Sequence, residues 1–316
     1  MNYLCLVSLS FVNNKSFSIL SEIRSDIFTV EKNPAILRET NFDERTNAID
    51  FLDFYVIDRI EGLLREIGLD EKPGMLKQRA LKLKRKLEKI DARLFKQLHE
   101  KIKSGICRQA SFREMVHAHM GTYFTDNSRR DMIGYDNLDV FINRLLSDKG
   151  MPEPILKRKP EMVFYQKTPA RIIFALAELA ELRQHDVFFD IGSGLGQAAI
   201  LVNLLSGVAV KGIEYEPAYC SYSIECATPL NLTNVEFINA DAPYEDYSGG
   251  TVFFMYTPFE GSMLLDMLEI LRKESQKRTI RLLTYGPCSP CVAQQNWLRC
   301  LNGDGHDPYS LYHLRS

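Results

Sequence analysis

The densest chemistry in this chain lies in one short run. The apolar stretch Val187-Phe188-Phe189 leads into Asp190-Ile191-Gly192-Ser193-Gly194-Leu195-Gly196, and Gln197 opens a segment with helical patterning. Glycine carries no Cβ, so such a turn bends sharply and lets backbone approach a ligand closely. The free N–H groups of a helix N-terminus often receive phosphate, and dinucleotide sites use G-x-G-x-x-G. Here the spacing is G-x-G-x-G, and an acid stands two residues before the first glycine. A carboxylate at that point repels a pyrophosphate and suits a ligand that carries an ammonium and a sulfonium.

Two further acids extend this site. Glu214 closes the next strand candidate, 214 − 190 = 24 residues beyond Asp190, where a βαβ unit places an acceptor for ribose hydroxyls. Asp241 closes the strand candidate after that. Singly, each has a plain structural reading: Asp190 as a helix cap, Glu214 as a solvated strand end, Asp241 as the start of a turn. Together with the glycines they read as a nucleoside site, and the ligand with the required charges is S-adenosylmethionine.

The order Asp-x-Gly-x-Gly-x-Gly resembles motif I of the Rossmann-like (class I) methyltransferases. That resemblance implies that Asp241 binds the adenine amino group, flanked by Ala240 and Ala242. A second resemblance begins upstream. Tyr165-Gln166-Lys167-Thr168, a helix, and then Val187 to Gln197 are similar to the catalytic core of histone lysine methyltransferases that lack a SET domain, the disruptor-of-telomeric-silencing type. It extends from Tyr165 to roughly Leu271 and implies that the Tyr165–Thr168 loop folds over the methionine end of the cofactor, with Thr168 in contact. Gln197 stands where that family has glutamine after the glycine turn. The acceptor loop departs from this pattern. Met255-Tyr256-Thr257-Pro258-Phe259-Glu260 stands in place of a pair of asparagines and is nearer to the Asp/Asn-Pro-Pro-aromatic loop of enzymes that methylate exocyclic amino groups. With no amide or carboxylate first in the loop, the Tyr256 or Thr257 hydroxyl, or carbonyls held by Pro258, must receive the attacking nitrogen.

Methyl transfer from a sulfonium is an in-line displacement, so an enzyme mainly holds the nucleophile ~3–3.5 Å from the methyl carbon. An amine attacks only when neutral, which an apolar, aromatic-lined channel favours. Tyr165, Tyr256 and Phe259 are the candidate walls, and no histidine or carboxylate presents itself as a base. Three functions fit: N-methylation of a protein amino group, with lysine expected; N-methylation of a small molecule or nucleic-acid base; or a non-catalytic Rossmann scaffold whose helical region does the binding. The complete set of acids and glycines argues against the third.

The elements that must position these residues follow from periodicity. The expected fold is α/β, a Rossmann-like methyltransferase sheet with helices on both faces, preceded by a mostly helical region at 1–160. From about Asp43 to Leu146 apolar residues recur at three- and four-residue spacing, including 49, 52, 56, 60, 63–64 and, after a break at Pro73-Gly74, 76, 80, 83, 87, 90, 94, 98 and 102. The proline- and charge-rich stretch 151–160 is the expected linker to the domain at 161–316. Beyond it, Thr168-Pro169 reads as a cap and first turn of a helix to Leu182. Strands are expected at 187–191, 208–213, 235–239, 252–256 and 280–285, alternating with helices at 197–205, 217–227 and 262–273, and closed by a strand at 309–314.

Composition sets the outer bounds. The 316 residues are 45% hydrophobic and 25% charged with a formal net charge of -2, so any taste for a polyanion must be local. One local source is the segment 77–103, rich in lysine and arginine over a leucine stripe, a basic helix for an acidic or nucleic-acid partner or simply a solvated face. The seven cysteines are scattered, which suits a reducing compartment, and a cytoplasmic location is expected. Cys288, Cys291, Cys300 and His306 form too irregular a set to predict a metal, and His117-Ala118-His119 reads as packing. No apolar run reaches the ~20 residues that span a bilayer. The opening apolar run Tyr3–Val12 lacks a basic flank and a clear cleavage site, and reads as a buried strand or helix.

Overall fold

The computed structural model describes residues 3–67, 71–125, 134–147 and 149–316, with side chains described throughout except at 3–17, 66, 67, 71 and 125. It divides into two compact units, Met1–Gln97 with His117–Arg130, and Leu98–Val116 with Asp131–Ser316.

The first unit is helical: α1 (Tyr3–Lys32), α2 (Phe42–Asp50), a π-helical passage (Phe51–Ile57), α3 (Asp58–Ile67) and most of α4 (Glu71–Lys103). The backbone of the opening apolar run is helical, and its side chains lie outside those described. The predicted stripe is the core: Leu52, Val56 and Ile60 pack with Ile23, Ile27, Ala80, Leu83, Leu87 and Ile90. Pro73 sits in the first turn of α4, where a missing N–H costs nothing, so the break falls just ahead of it; 68–70 are outside the described residues. Arg45, fully buried, pairs with buried Asp91 at 2.5 Å. His117 stacks on Phe124 at 3.8 Å, a packing role.

The second unit carries α5 (Ala110–His119) up to Val116, α6 (Asn137–Leu146), α7 (Ala170–Leu179), β1 (Val187–Ile191), α8 (Gln197–Ser206), β2 (Ala209–Glu214), α9 (Pro217–Ala227), β3 (Val235–Asn239), β4 (Val252–Met255), α10 (Gly261–Ser275), β5 (Arg281–Thr284), α11 (Ser289–Ala293), β6 (Arg299–Cys300) and β7 (Tyr312–Arg315). The sheet order is β3-β2-β1-β4-β5-β7-β6. The first five strands are parallel, while β7 runs antiparallel to both β5 and β6. This is the expected Rossmann-like sheet, its closing pair reduced to a two-residue β6 and a four-residue β7. Phe188 and Phe189 point to opposite faces and are both buried, so helices cover both sides. Chain order reverses between β1 and β4, and the carboxyl ends of the strands there are where open α/β sheets bind ligands.

Two expectations change. The stretch 151–160 does not join the two units. It lies inside the second, because Leu98–Val116 already belong with the sheet: the Gln109 N–H donates to Leu204 O at 2.6 Å and Arg108 donates to Leu230 O, while Lys167 donates to Asn143 Oδ1 at 2.7 Å. Thr168 does not cap α7 either. Pro169 holds the cap position without a side-chain bond, and the acceptor comes from α6, where Asp139 Oδ1 takes the Ala170 N–H at 2.7 Å. Asp139 also closes the capping box of its own helix through the Asp136 N–H. Burial pushes its carboxyl up, partly offset by these N–H groups.

Asp139 thus serves two helix ends at once. Asp139→Ala is expected to cost about 2 kcal/mol, read by urea denaturation, and Asp139→Asn, which keeps an acceptor, is expected to cost less than half of that. Equal losses would show that the acceptor is not what matters.

Candidate functional site

At the carboxyl ends of β1 to β4 lies a cavity of about 300 Å³ lined by Tyr165, Gly192, Glu214, Tyr215, Tyr219, Asp241, Tyr256, Thr257, Pro258 and Phe259, among others. Parallel strands deliver the pieces in register: Asp190 pairs across to Gly212 and Phe254, and Glu214 to Asn239.

The glycine turn is built for close approach. Gly194 has φ +54°, and a Cβ there would fall 2.0 Å from Tyr165 Cε2; Gly196 has φ +76°, and its Cβ would strike Phe237 and Ser223. Gly192 donates its N–H to Ile213 O at 2.9 Å, fixing the turn to β2. Gln197 begins α8, is buried, and donates from Nε2 to Thr168 O at 3.3 Å. It therefore holds the Tyr165–Thr168 loop against the glycine turn. Thr168 is itself buried.

The three acids differ in their surroundings. Asp190 is 3% exposed, and its Oδ2 is buried with no hydrogen-bond partner. Burial pushes its carboxyl up to about 7; the Ala199 N–H opposes this and the Glu214 charge adds to it. Glu214 receives the Gly194 N–H at 2.7 Å and the Glu216 N–H at 2.8 Å. Its carboxyl is also pushed up, by burial first. Asp241 receives a bond from Lys159 Nζ on Oδ2, while its Oδ1 is buried without a partner. Two unpartnered carboxylate oxygens in one neighbourhood are costly unless a ligand supplies donors.

The acceptor loop behaves less simply than its sequence suggests. Thr257 is buried with φ +42°, a left-handed backbone that β-branched residues rarely adopt. Its hydroxyl donates to Tyr285 O at 3.3 Å and receives the Cys288 N–H at 3.0 Å. It fastens the loop to the turn after β5 and is not free to receive a nitrogen. Phe259 is 3% exposed and packs in the core cluster with α10, bridging to Met162. Tyr256 is half-buried beside Tyr285, ring centroids 5.0 Å apart. Burial, with Tyr135, Tyr285 and Tyr309 nearby, pushes its phenol up to about 12.

The structure also brings in residues that periodicity alone did not single out. The supposed linker is a strap across the cavity. Glu216 accepts the Ile155 and Leu156 N–H groups, both at 2.8 Å, and caps α9 through Ala218. Burial alone would raise its pKa, but these three bonds hold it below its ordinary value. Lys159 reaches Asp241, and Glu161 accepts from Ser262 and Met263 at the start of α10. The Val163 N–H donates to Pro258 O at 3.1 Å. Tyr165 ends the strap with its ring on Gly194 and near Tyr219, its hydroxyl at the Leu195 N–H. Gly194, Gly196, Asp190, Gln197 and Thr168 therefore lie behind the cavity wall, whereas Gly192, Glu214 and Asp241 border it. The run of three cations, Lys157 to Lys159, followed by Glu161 was the available signal for two of these anchors, Lys159 and Glu161. Cys288 is buried, with Cys291 and Cys300 half-buried; among the described residues no group of three His, Cys, Asp or Glu side chains is placed to hold a metal. No described helix is long and apolar enough to cross a membrane.

No protein-family model matches the chain, and no curated protein matches it. Among solved structures the chain is similar to an RNA methyltransferase from Salinibacter ruber in complex with S-adenosyl-L-homocysteine: 23% identity, 48% of this chain, 92% of that one, TM-score 0.39. It is similar also to precorrin-6y C5,15-methyltransferase from Geobacter metallireducens GS-15, at 16% identity, 49% of this chain, 91% of that one, TM-score 0.36. A third is a SAM-dependent methyltransferase from Thiobacillus denitrificans in complex with S-adenosyl-L-homocysteine, at 18% identity over 36% of this chain, TM-score 0.31. The chain spans about half the length of that last protein, 47%.

If Glu216 is the anchor of the strap, Glu216→Ala frees the Ile155 and Leu156 amides. Native-state hydrogen exchange should then speed up at those two amides by at least ~10-fold, with the β1 and β4 amides unchanged. Unaltered exchange at Ile155 and Leu156 would contradict that anchoring.

Proposed function

We propose that this chain is an S-adenosylmethionine-dependent methyltransferase that transfers the methyl group to an amino nitrogen, with a protein lysine as the acceptor. The observation that carries the reading is the set of three acids at the ends of consecutive parallel strands, two of them with a buried carboxylate oxygen awaiting a donor. These residues suit the cofactor by charge and by donor count. Asp190 would hold the ammonium, Glu214 the ribose hydroxyls and Asp241 Oδ1 the adenine amino group between Ala240 and Ala242. Once bound there, the cofactor supplies an electrophilic methyl on a sulfonium.

The chain's own part is placement and exclusion of water. The Tyr165 ring swings off Gly194 to open the glycine turn to the ligand, and the Tyr165–Thr168 loop, kept close by Gln197, then closes over it. Tyr256 forms the near wall for the acceptor, with Phe259 supporting the loop from the core. With Thr257 committed to Tyr285 O and the Cys288 N–H, the Tyr256 hydroxyl and the loop carbonyls are what remain to receive the attacking nitrogen. A weakly polar, aromatic wall keeps an amine neutral. A small molecule or a nucleic-acid base is the competing acceptor.

Two measurements test this. Incubation with radiolabelled S-adenosylmethionine and host lysate, followed by protease or nuclease, should leave label that only protease removes; label in the low-mass fraction would overturn the protein acceptor. The second is a pH dependence. Asp190 keeps its proton up to about pH 7 in the free protein, above its unfolded value, so the free fold loses stability as pH rises from ~4 to ~7. A cationic ammonium needs the ionised form. Affinity for S-adenosylhomocysteine should thus weaken below pH 7, by up to about tenfold per pH unit, in calorimetry at roughly pH 6 and pH 8. Equal affinity at both would remove Asp190 as the partner of the ammonium.

A further inference from the structure

The first unit carries a charged surface that contributes no residue to the lining of the cavity described above. On α4, Lys82, Arg85, Lys86, Lys89, Arg93 and Lys96 are all exposed. At 100° per residue they fall within an arc of about 100° and extend about 21 Å along the axis. The acids within that span do not share the arc: Glu88 leans toward Lys84 and Asp91 is buried against Arg45. The contrast with the other cations of the helix is what makes the stripe a feature. Lys77, Arg79 and Lys84 are neutralised by Glu61, Glu31 and Asp53, whereas none of the six has an acid within ion-pair distance among the described residues. In a chain with a net charge of -2, this is a strong local concentration of unpaired positive charge.

We propose that this stripe binds the phosphate backbone of duplex nucleic acid without regard to sequence. The spacing of the cations, one or two per turn along one continuous helix, matches a continuous, regular polyanion. The opposite face of α4, Leu83, Leu87, Ile90 and Leu94, is buried, so it cannot enter a lipid bilayer as an interfacial amphipathic helix does. Single strands are gripped by exposed aromatics on which bases stack; the aromatic residue of this stretch, Phe95, is buried against Phe42. An acidic peptide needs pockets to fix its side chains, whereas the open groove beside the stripe is lined by three of its own cations, Lys86, Lys89 and Arg93, with Leu37, Ile90 and Ala92, and so presents the same charge to a polyanion. What remains is charge neutralisation with counterion release.

The stripe lies wholly in the first unit, and its test is independent of the methyl donor. Fluorescence anisotropy of the full chain with a labelled DNA duplex and a labelled RNA duplex, between about 50 and 200 mM salt, gives affinity and salt slope. Binding to either duplex, unaffected by base sequence, is expected. Lys89→Gln/Arg93→Gln should weaken it by ~10-fold or more and reduce the salt slope by about 2. Lys82→Gln/Lys86→Gln should do the same, so that the result does not hang on the folding of one variant. The equal charge change Lys273→Gln/Arg299→Gln, on exposed positions of the second unit, should have no such effect. No binding at the lower salt, an equal loss from the control, or tighter binding to a single strand or to polyglutamate would overturn the proposal.

Discussion

A carboxylate buried at the end of β1, with one oxygen lacking any donor, is the constraint around which the second unit is arranged. Asp190 stands at the central strand of a parallel sheet, covered on both faces and buried from solvent. Among the described residues no cation pairs with it. Burial without a partner is tolerated only if the group keeps its proton or a ligand brings the missing charge. Around it lie a glycine turn with no room for a side chain, a second acid on β2 tied to that turn through Gly194, and a third just beyond β3 with an oxygen left open; under the proposed function these serve the second outcome.

The strap from 151 to 165 is the counterpart of this buried chemistry. Its anchors are spaced along the strand ends, with Glu216 beyond β2, Asp241 beyond β3, Pro258 beyond β4 and the glycine turn beyond β1. Three of these are hydrogen bonds to backbone or a single ion pair, and the fourth is the Tyr165 ring packed on Gly194. Such a segment opens at modest cost while the sheet beneath stays intact, which is the mechanical property a covered ligand site requires.

Much of this was legible in the chain. Strands at 187–191 and 235–239 and the helix at 217–227 coincide with their predicted bounds, because apolar runs closed by Gly, Pro and acids leave few other readings. The acids fall at strand ends since the alternation of strand and helix fixes where each strand stops. What local pattern could not reveal were choices made across the fold. Asp139, and not Thr168, caps α7, because α6 packs there. Thr257 turns its hydroxyl toward β5, because its left-handed backbone aims it there. The proline-rich stretch spans a cavity and not a domain boundary, since its N–H groups find Glu216, 60 and 61 residues away in sequence. Phe259 sits in the core through its bridge to Met162, a contact no periodicity encodes.

The most direct test of the central claim is calorimetric titration of S-adenosylhomocysteine into the wild-type chain and into Asp190→Ala and Glu214→Ala. Clear binding by the first and none by either variant is expected, all three remaining folded by circular dichroism. Unchanged affinity in both variants would contradict that claim, and would place the ligand site elsewhere in the molecule.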